Sequence, residues 1–436
     1  MQTNFTRDQL ADPEIARADR ILRTCVHCGF CTATCPTYVL TGNELESPRG
    51  RIYLIKSLLE KDQKVGGAVI GHLDSCLSCL VCMTTCPADV DYMHLVDLAR
   101  RRVEQGSSRP LATRLPHAAL GAILTTPALL RSGLRIARIL GRFARWAPGR
   151  LRAAVELARR QPMAAASKSG TGIFPAQGKR RKRVILLAGC VQDIVARPIN
   201  DATIRLLTRM GCEVVVPAQA GCCGGLARQL GQSRRESRQI KRNLKAWTTA
   251  MEAGGIDAVV VNASGCGTVV KDYGHAMRGV ARWRGRAEWI SALTVDICEF
   301  AATLGLEGFE KVDRLTVACH VPCSLEHGQR VVAEPAALLQ RAGFDVRRPP
   351  RGQLCCGGAG SYALLQSRTS AKLRERAVAN ILTVAPDVIA TGNIGCLIQL
   401  SGGAGVPVVH TVELLDWATG GPRPAALQGS LISAVG

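Results

Sequence analysis

The chain has 436 residues, about three times the usual domain size of ~150, so several domains are expected. Apolar residues make up 47% and charged residues 21%, which suits packed cores and excludes a disordered chain. Lysine and arginine outnumber aspartate and glutamate by 56 to 34, a net charge of +22, and nineteen cysteines pose the main chemical question.

The first twenty residues are polar and lack the apolar stretch of an export signal. The longest charge-free apolar run, between Arg114 and Arg131, is broken by Pro116, His117 and Pro127 and is shorter than the ~20 residues that span a bilayer. A cytoplasmic setting is therefore expected, where disulfides are rare and thiols act as metal ligands or redox groups.

Asp12 can cap a first helix, with Pro13 at its first position and Glu14 in its first turn, running through Ala16, Ile21 and Leu22 to Cys25. Two cysteine runs follow. Cys25, Cys28, Cys31 and Cys35 precede Pro36; Cys76, Cys79, Cys82 and Cys86 precede Pro87; both read C-x2-C-x2-C-x3-C-P. The two-residue spacings let a tight loop wrap three thiolates onto one iron–sulfur cube, and in two-cluster ferredoxins the fourth cysteine ligates the other cluster. The pattern predicts Cys25, Cys28, Cys31 and Cys86 on one [4Fe–4S] cluster, and Cys76, Cys79, Cys82 and Cys35 on the second. Zinc is the competing reading, but zinc sites usually draw two C-x2-C pairs from separate segments. Between the runs, Pro48 to Glu60 reads as a helix with Ile52, Ile55, Leu58 and Leu59 on one face, and a third helix is expected from Tyr92 to Glu104. Residues 1–106 thus read as a helical ferredoxin-like domain.

From Arg100 to Arg183 there are 20 basic residues against Glu104 and Glu156, so +18 of the net +22 sits in this segment. Arg131, Arg135, Arg138, Arg142 and Arg145 recur at helical spacing between Leu130 and Trp146, with Leu134, Ile136, Ile139, Leu140 and Phe143 mainly on other faces; Pro148-Gly149 ends the pattern. Such a helix either packs on its own protein with a solvated arginine face, or lies on an anionic membrane or an acidic partner. No nucleic-acid motif or aromatic platform accompanies the charge, so nucleic acid is not expected as a partner. Small residues and the run Lys179 to Arg183 make 161–183 read as a flexible linker. The connector and linker together span 107–183.

The rest contains an internal repeat. Cys190 is followed 32 positions later by Cys222-Cys223-Gly224-Gly225, and Cys323 is followed 32 positions later by Cys355-Cys356-Gly357-Gly358. Each half reaches a further cysteine after an apolar strand, Cys266 and Cys396. Helical segments, among them Asn200 to Met210 and Pro335 to Arg341, alternate with the strands. The fold class that follows is multidomain, α then α/β, with two repeated parallel-sheet modules at 184–305 and 306–436. In such sheets, sites form beyond the carboxyl ends of the strands, and these cysteines fall there. The tetrads Cys190, Cys222, Cys223, Cys266 and Cys323, Cys355, Cys356, Cys396 can each ligate an additional cluster or form a thiol/disulfide site. The paired glycines would let backbone approach a bulky centre. Cys212, Cys298 and Cys319 read as ordinary buried thiols, and His320, His327 and His410 get no role beyond supporting a ligand.

Two ferredoxin-type runs followed by two Cys…Cys-Cys-Gly modules resemble the iron–sulfur subunits of bacterial glycolate oxidase, as do the phrases ILRTCVHCGFCTATCPTY, PRGRIYLIK, AGCCGG, ASGCG and LCCGGAGSYALL. The likeness covers nearly the whole chain and is weakest from about Ser107 to Gly178. It implies a complex with flavin-bearing subunits that oxidise glycolate to glyoxylate. This chain would pass their electrons to a respiratory acceptor such as quinone, at the cytoplasmic face of the inner membrane, with the basic connector as a peripheral membrane contact. Related subunits serve lactate, glycerol-3-phosphate and heterodisulfide-reductase systems, which leaves those substrates and thiol/disulfide reduction as alternatives. The sequence lacks a flavin or nicotinamide fingerprint, because Gly221-Cys-Cys-Gly-Gly225 does not have G-x-G-x-x-G spacing, so no flavin or NAD is expected on this chain. It also departs from heterodisulfide-reductase modules, whose last cysteine lies in C-x2-C. Here Gly267, Thr268 and Val269 follow Cys266, and Leu397, Ile398 and Gln399 follow Cys396. That places a noncubane cluster in doubt and favours a cubane or no cluster in the modules.

Overall fold

The computed structural model describes residues 1–61, 66–106, 109, 111–141, 152, 155–156, 158–159, 170–306, 314–350 and 354–428. The amino-terminal region is helical. The helix Pro13–Thr24 starts where Asp12 accepts from the Glu14 amide at 2.8 Å and ends at Cys25. It packs Ile15, Ala18 and Leu22 against Ile52, Ile55 and Leu59 of the helix Pro48–Lys61, and against Leu95, Val96, Ala99 and Val103 of the helix Tyr92–Gln105. Cys25, Cys76 and Cys82 line the rim of this core. Burying the apolar faces of three helices therefore brings the two cysteine loops to one end of the bundle.

The carboxy-terminal half contains two sheets. In the first, β1 (Gly172–Phe174), β2 (Lys182–Leu187), β3 (Cys212–Val216), β4 (Ala258–Val261) and β5 (Thr294–Asp296) lie in the order β1-β3-β2-β4-β5. All pairs are parallel except β1–β3. In the second, β6 (Thr316–His320), β7 (Asp345–Arg347), β8 (Val388–Thr391) and β9 (Val408–His410) lie in the order β7-β6-β8-β9, all parallel. Removing β1 leaves the same topology twice, so the internal repeat is a structural one. β4 and β8 are buried along their whole length, as expected for parallel strands with helices on both faces. Each last strand leads into a helix through a capping box, Asp296 with Glu299 in one module and His410 with Glu413 in the other.

The modules share one core. Leu206 and Leu207 of the helix Pro198–Arg209, Phe300, Leu338 and Leu339, and Leu414 and Leu415 of the helix Thr411–Ala418 belong to a single apolar cluster. Across this contact, Asp416 accepts from Arg205 Nη2 at 2.5 Å and also from Arg209. The helical segments expected at 200–210 and 335–341 are Pro198–Arg209 and Glu334–Arg341.

The connector departs from expectation in two places. Residues 172–174, read as linker, form β1, because the open edge of β3 offers Val214 to Val216 as pairing partners. Lys182 and Arg183 start β2, where Arg183 pairs with Glu213 at 2.5 Å and Lys182 with Asp257 at 3.1 Å. The basic helix runs Pro127–Leu140 and buries Leu130, Leu134 and Ala137, the leucines packing against Ile194 and Val195 of the first module. Its opposite face exposes Arg135, Ile136 and Ile139. Arg142, Phe143, Arg145 and Pro148-Gly149 of that reading, and the linker stretch 161–169, lie outside the described residues. Among the described residues, no helix is long and apolar enough to cross a membrane.

Candidate redox centres

In the loop from Cys25 to Cys31, His27 and Gly29 have φ of 57° and 86°; in the loop from Cys76 to Cys82, Ser78 and Leu80 have φ of 51° and 64°. The same two positions of both loops are thus left-handed, and three of the four carry side chains that disfavour this conformation. These kinks curl each loop around its own thiols. One-turn helices follow, Phe30–Thr34 and Val81–Thr85, each leading to its fourth cysteine. Thr34 and Thr85 bring these helices together, their hydroxyls 3.2 Å apart, so each run hands its last cysteine to the other loop.

A cavity is lined by Cys25, Cys28, Cys31 and Cys86, with Cys82 also on its wall. A second is lined by Cys76, Cys79, Cys82 and Cys35. Cys82 is common to both walls, so the cavities are immediate neighbours. Burial, and then Cys25 and Cys86, push the Cys31 thiol up to about 11. Burial with the adjacent thiols pushes Cys79 and Cys82 well above the ordinary range. Thiols that raise one another in this way form a donor set suited to a cationic metal core, which deprotonates its thiol ligands outright. Four convergent thiols per cavity fit a [4Fe–4S] cube.

The two cavities differ in their surroundings. At the second, Arg51 is 1% exposed and donates to Cys35 Sγ at 3.9 Å, Thr37 Oγ1 at 3.1 Å, Glu46 Oε2 at 2.7 Å and the His72 carbonyl at 2.8 Å. Arg100, also buried, donates to the Cys76 carbonyl at 2.7 Å and to Ser78 Oγ at 2.6 Å, and the Tyr92 hydroxyl donates to Cys76 Sγ at 3.6 Å. Burial alone would raise Cys76, but these guanidinium groups outweigh it and hold the thiol below its usual value. The first cavity instead reaches the surface, where Cys28 is exposed and Val26 and Phe30 are 68% and 63% exposed.

In the modules every predicted cysteine lies beyond the carboxyl end of a strand: Cys190 after β2, Cys222 and Cys223 after β3, Cys266 after β4, Cys323 after β6, Cys355 and Cys356 after β7, and Cys396 after β8. Each tetrad converges. Cys190 and Cys223 raise Cys222, while hydrogen bonds from Cys222 and Cys266, helped by the Gly225 amide 3.4 Å away, hold Cys223 well below the ordinary thiol range against burial. Cys355 raises Cys323, and Cys396 raises Cys356. Asn243 and Tyr273 fix the first tetrad's loop, Asn243 donating to the Cys222 carbonyl at 3.0 Å and Tyr273 to the Cys223 carbonyl at 2.7 Å.

The paired glycines serve the protein's own packing. Gly224 and Gly357 have φ of 97° and 78°, and a Cβ on Gly358 would lie 2.5 Å from the Gly395 carbonyl of the helix carrying Cys396. Cys212, Cys298 and Cys319 are buried in β3, in the helix Ile297–Leu304 and in β6. His320 and His410 are also buried; burial pushes both down to about 4, and His320 Nδ1 lies 3.0 Å from Thr391 Oγ1. His327 Nδ1 lies 2.9 Å from Thr84 Oγ1 in the ferredoxin-like region.

The family of 4Fe-4S dicluster domains matches residues 24–90, and the family of cysteine-rich domains matches 184–271 and 317–401. The glycolate oxidase iron–sulfur subunit of Escherichia coli K12 is 38% identical over 96% of this chain and 99% of its own length. The chain belongs to the glycolate oxidase iron–sulfur subunit family. A probable glycolate oxidase iron–sulfur subunit of Bacillus subtilis 168 is 30% identical over 92% of this chain and 94% of its own. Lactate utilization protein A of Macrococcus caseolyticus is 28% identical over 54% of this chain and 96% of its own. A crystal structure of a hypothetical protein from Helicobacter pylori covers 96% of this chain and 74% of that chain at TM-score 0.54 and 9% identity, a likeness of fold.

As a member of this family, the chain is an iron–sulfur protein of an oxidoreductase complex. Sequence reasoning missed several residues around its cysteines: Arg51, Arg100 and Tyr92 at the second cavity, Tyr273 at the first tetrad, and the cluster of His94, Asp272 and His275 between the ferredoxin-like region and the first module. A lysine- and arginine-rich chain hides such cations among many, and only burial distinguishes them.

Proposed function

We propose that the chain is the electron-transfer subunit of a glycolate-oxidising complex, taking electrons from flavin-bearing subunits that convert glycolate to glyoxylate and delivering them to a respiratory acceptor, a quinone. The reading is carried by the two adjacent cysteine-lined cavities that share Cys82. Cys25, Cys28, Cys31 and Cys86 would hold one [4Fe–4S] cluster, and Cys76, Cys79, Cys82 and Cys35 the other. Bound there, such cubes take up and release one electron each.

The protein's own residues set the terms. The left-handed kinks at His27, Gly29, Ser78 and Leu80 preorganise the thiols. Arg51, Arg100 and Tyr92 place positive charge and a hydroxyl against the second cavity, which favours an electron-rich centre there. The exposed edge at Val26, Cys28 and Phe30 is the natural approach for a donor subunit. The module tetrads would hold further four-thiolate iron centres. The domains follow the same division of labour: 1–106 for the ferredoxin-type sites, 107–171 for the basic connector as a peripheral contact at the cytoplasmic face of the inner membrane, and 172–305 and 306–436 for the modules, the first beginning at β1 and not at 184.

The test is the anaerobically purified complex. Glycolate should bleach its iron–sulfur absorbance, and Cys25→Ser or Cys76→Ser should remove about four irons of the ferredoxin-like region's eight. No bleaching by glycolate or any other 2-hydroxy acid, with iron fully loaded, would sink the reading.

A further inference from the structure

The two tetrads are equivalent in topology, but they stand differently towards the ferredoxin-like region. Leu77, Tyr362 and Leu373 form a small buried cluster, and Cys79 of the second cavity and Cys355 of the second module both pack against it, with Leu40 and Ala359. Cys79 belongs to the loop between Cys76 and Cys82, whereas Cys355 follows β7, so this cluster is where the second cavity meets the second tetrad. Tyr362 is 2% exposed and buried with Leu77 and Leu373 in the cluster that both Cys79 and Cys355 touch. A second contact, Thr84 Oγ1 to His327 Nδ1 at 2.9 Å, fixes the same face.

The first tetrad stands apart from such a contact among the described residues: Cys223 and Cys266 pack in a cluster made of first-module residues, and the ferredoxin-like region meets the first module through charged side chains, Arg228 with Asp97 at 4.0 Å and His94 with Asp272 at 2.9 Å.

We propose that Cys323, Cys355, Cys356 and Cys396 form the redox neighbour of the Cys35, Cys76, Cys79 and Cys82 site, with Cys79 and Cys355 as the crossing point, and that the first tetrad lies off this crossing. The step is a single-electron transfer: the ferredoxin-type site is oxidised by one electron and the second tetrad's iron centre is reduced by one. No bond forms or breaks. The inference rests on the reading that both thiolate sets hold iron.

The experiment uses the full chain, prepared anaerobically, with iron analysis and low-temperature electron paramagnetic resonance of the reduced protein. Two neighbouring paramagnetic centres broaden each other's signals. Cys355→Ser and Cys396→Ser should each lower the iron content and remove this broadening from the signal of the Cys76–Cys82 site, while Cys222→Ser leaves it unchanged. The two second-module variants remove thiols at different distances from the interface, so agreement between them separates loss of the centre from a local packing defect. Iron lost with the broadening intact would overturn the inference alone. Loss of the entire Cys76–Cys82 signal in Cys355→Ser but not in Cys396→Ser would make Cys355 a ligand of that site and also overturn it. Iron unchanged in both would remove the reading on which it rests, and the inference with it.

Discussion

The rings of His94 and His275 stack face to face, with centroids 3.4 Å apart and planes 3° from parallel, where the helix Tyr92–Gln105 meets the first module. His94 Nδ1 lies 2.5 Å from Asp91 and its Nε2 2.9 Å from Asp272, while Arg17 reaches His275 Nδ1 at 2.9 Å and Arg278 lies nearby. Burial opposes charge on both rings. The two carboxylates overcome it at His94, which is pushed up to about 9, whereas burial and then charged His94 push His275 down to about 3. One ring of the stack is thus cationic and the other neutral. His94, Asp272 and His275 have the spacing of a metal-binding trio, but Arg17 and Arg228 already supply the positive charge there.

The pair makes stability depend on pH in two directions. The contribution of His94 is complete below its ordinary value of 6.5 and is lost as pH rises towards about 9. His275 refuses a proton that the unfolded chain accepts below 6.5, so its penalty grows as pH falls. The pair's net contribution therefore peaks near 6.5 and changes by about 1–3 kcal/mol on either side. Melting curves of wild type and His94→Gln/His275→Gln should converge at both extremes and separate most in between. A constant gap at every pH would refute the assignment.

Arg51 is the cation closest in contact with the second cavity, and it also answers Glu46 and Ser75. Arg51→Leu should destabilise the fold by about 3–5 kcal/mol, because it leaves a partly buried carboxylate without its partner. It should also lower the reduction potential of the second centre while leaving the first unchanged. Arg51→Lys keeps the charge but not the fork that reaches five partners, so it should recover the potential more fully than the stability. A redox titration followed by electron paramagnetic resonance separates the two effects.

The convergence of the eight ferredoxin-type cysteines was legible because three of each set lie within one loop, and local spacing alone brings such thiols together. The repeat was legible for the same reason: strand, turn and cysteine recur at fixed offsets. What could not be read joins distant segments. His94 and Asp272 are 178 positions apart, and nothing in either neighbourhood marks them as partners. Tyr362 looks like any core aromatic until the second module docks. β1 is three residues flanked by small and basic ones, and it is a strand only because β3 exposes an edge beside it. The second glycine of each pair also meets a contact that no local pattern shows: a Cβ on Gly225 would touch Val269, and one on Gly358 the Gly395 carbonyl, both on the helix that delivers the last cysteine.

Asp416 should be the main polar tie between the modules. Its side chain is 1% exposed and accepts from Arg205 and Arg209 of the helix Pro198–Arg209. Asp416→Ala would leave two guanidinium groups facing each other without a counter-charge and should destabilise the fold by about 3–5 kcal/mol, while Asp416→Asn keeps the acceptor and should lose less. Urea unfolding monitored through Trp417, the adjacent residue, reads this directly. If Ala and Asn variants lose equally, charge rather than hydrogen bonding is responsible.

The helix Pro127–Leu140 presents a second apolar face that is exposed among the described residues. Leu130 and Leu134 are buried against Ile194 and Val195, yet Ile136 is 53% and Ile139 62% exposed, with Arg135 exposed beside them. A solvated surface helix gains nothing from two exposed isoleucines among arginines, whereas a helix lying on an anionic bilayer buries the former and pairs the latter with lipid headgroups. The protein should therefore sediment with vesicles containing anionic lipid, and less so as salt rises. Ile136→Glu/Ile139→Glu should weaken this by about tenfold or more, since each isoleucine contributes about 1.5–3 kcal/mol when fully buried. Both positions face solvent, so melting temperature should not move. Equal binding to neutral and anionic vesicles, or binding unchanged in the double variant, would exclude this helix as the contact and leave its exposed face to a protein partner.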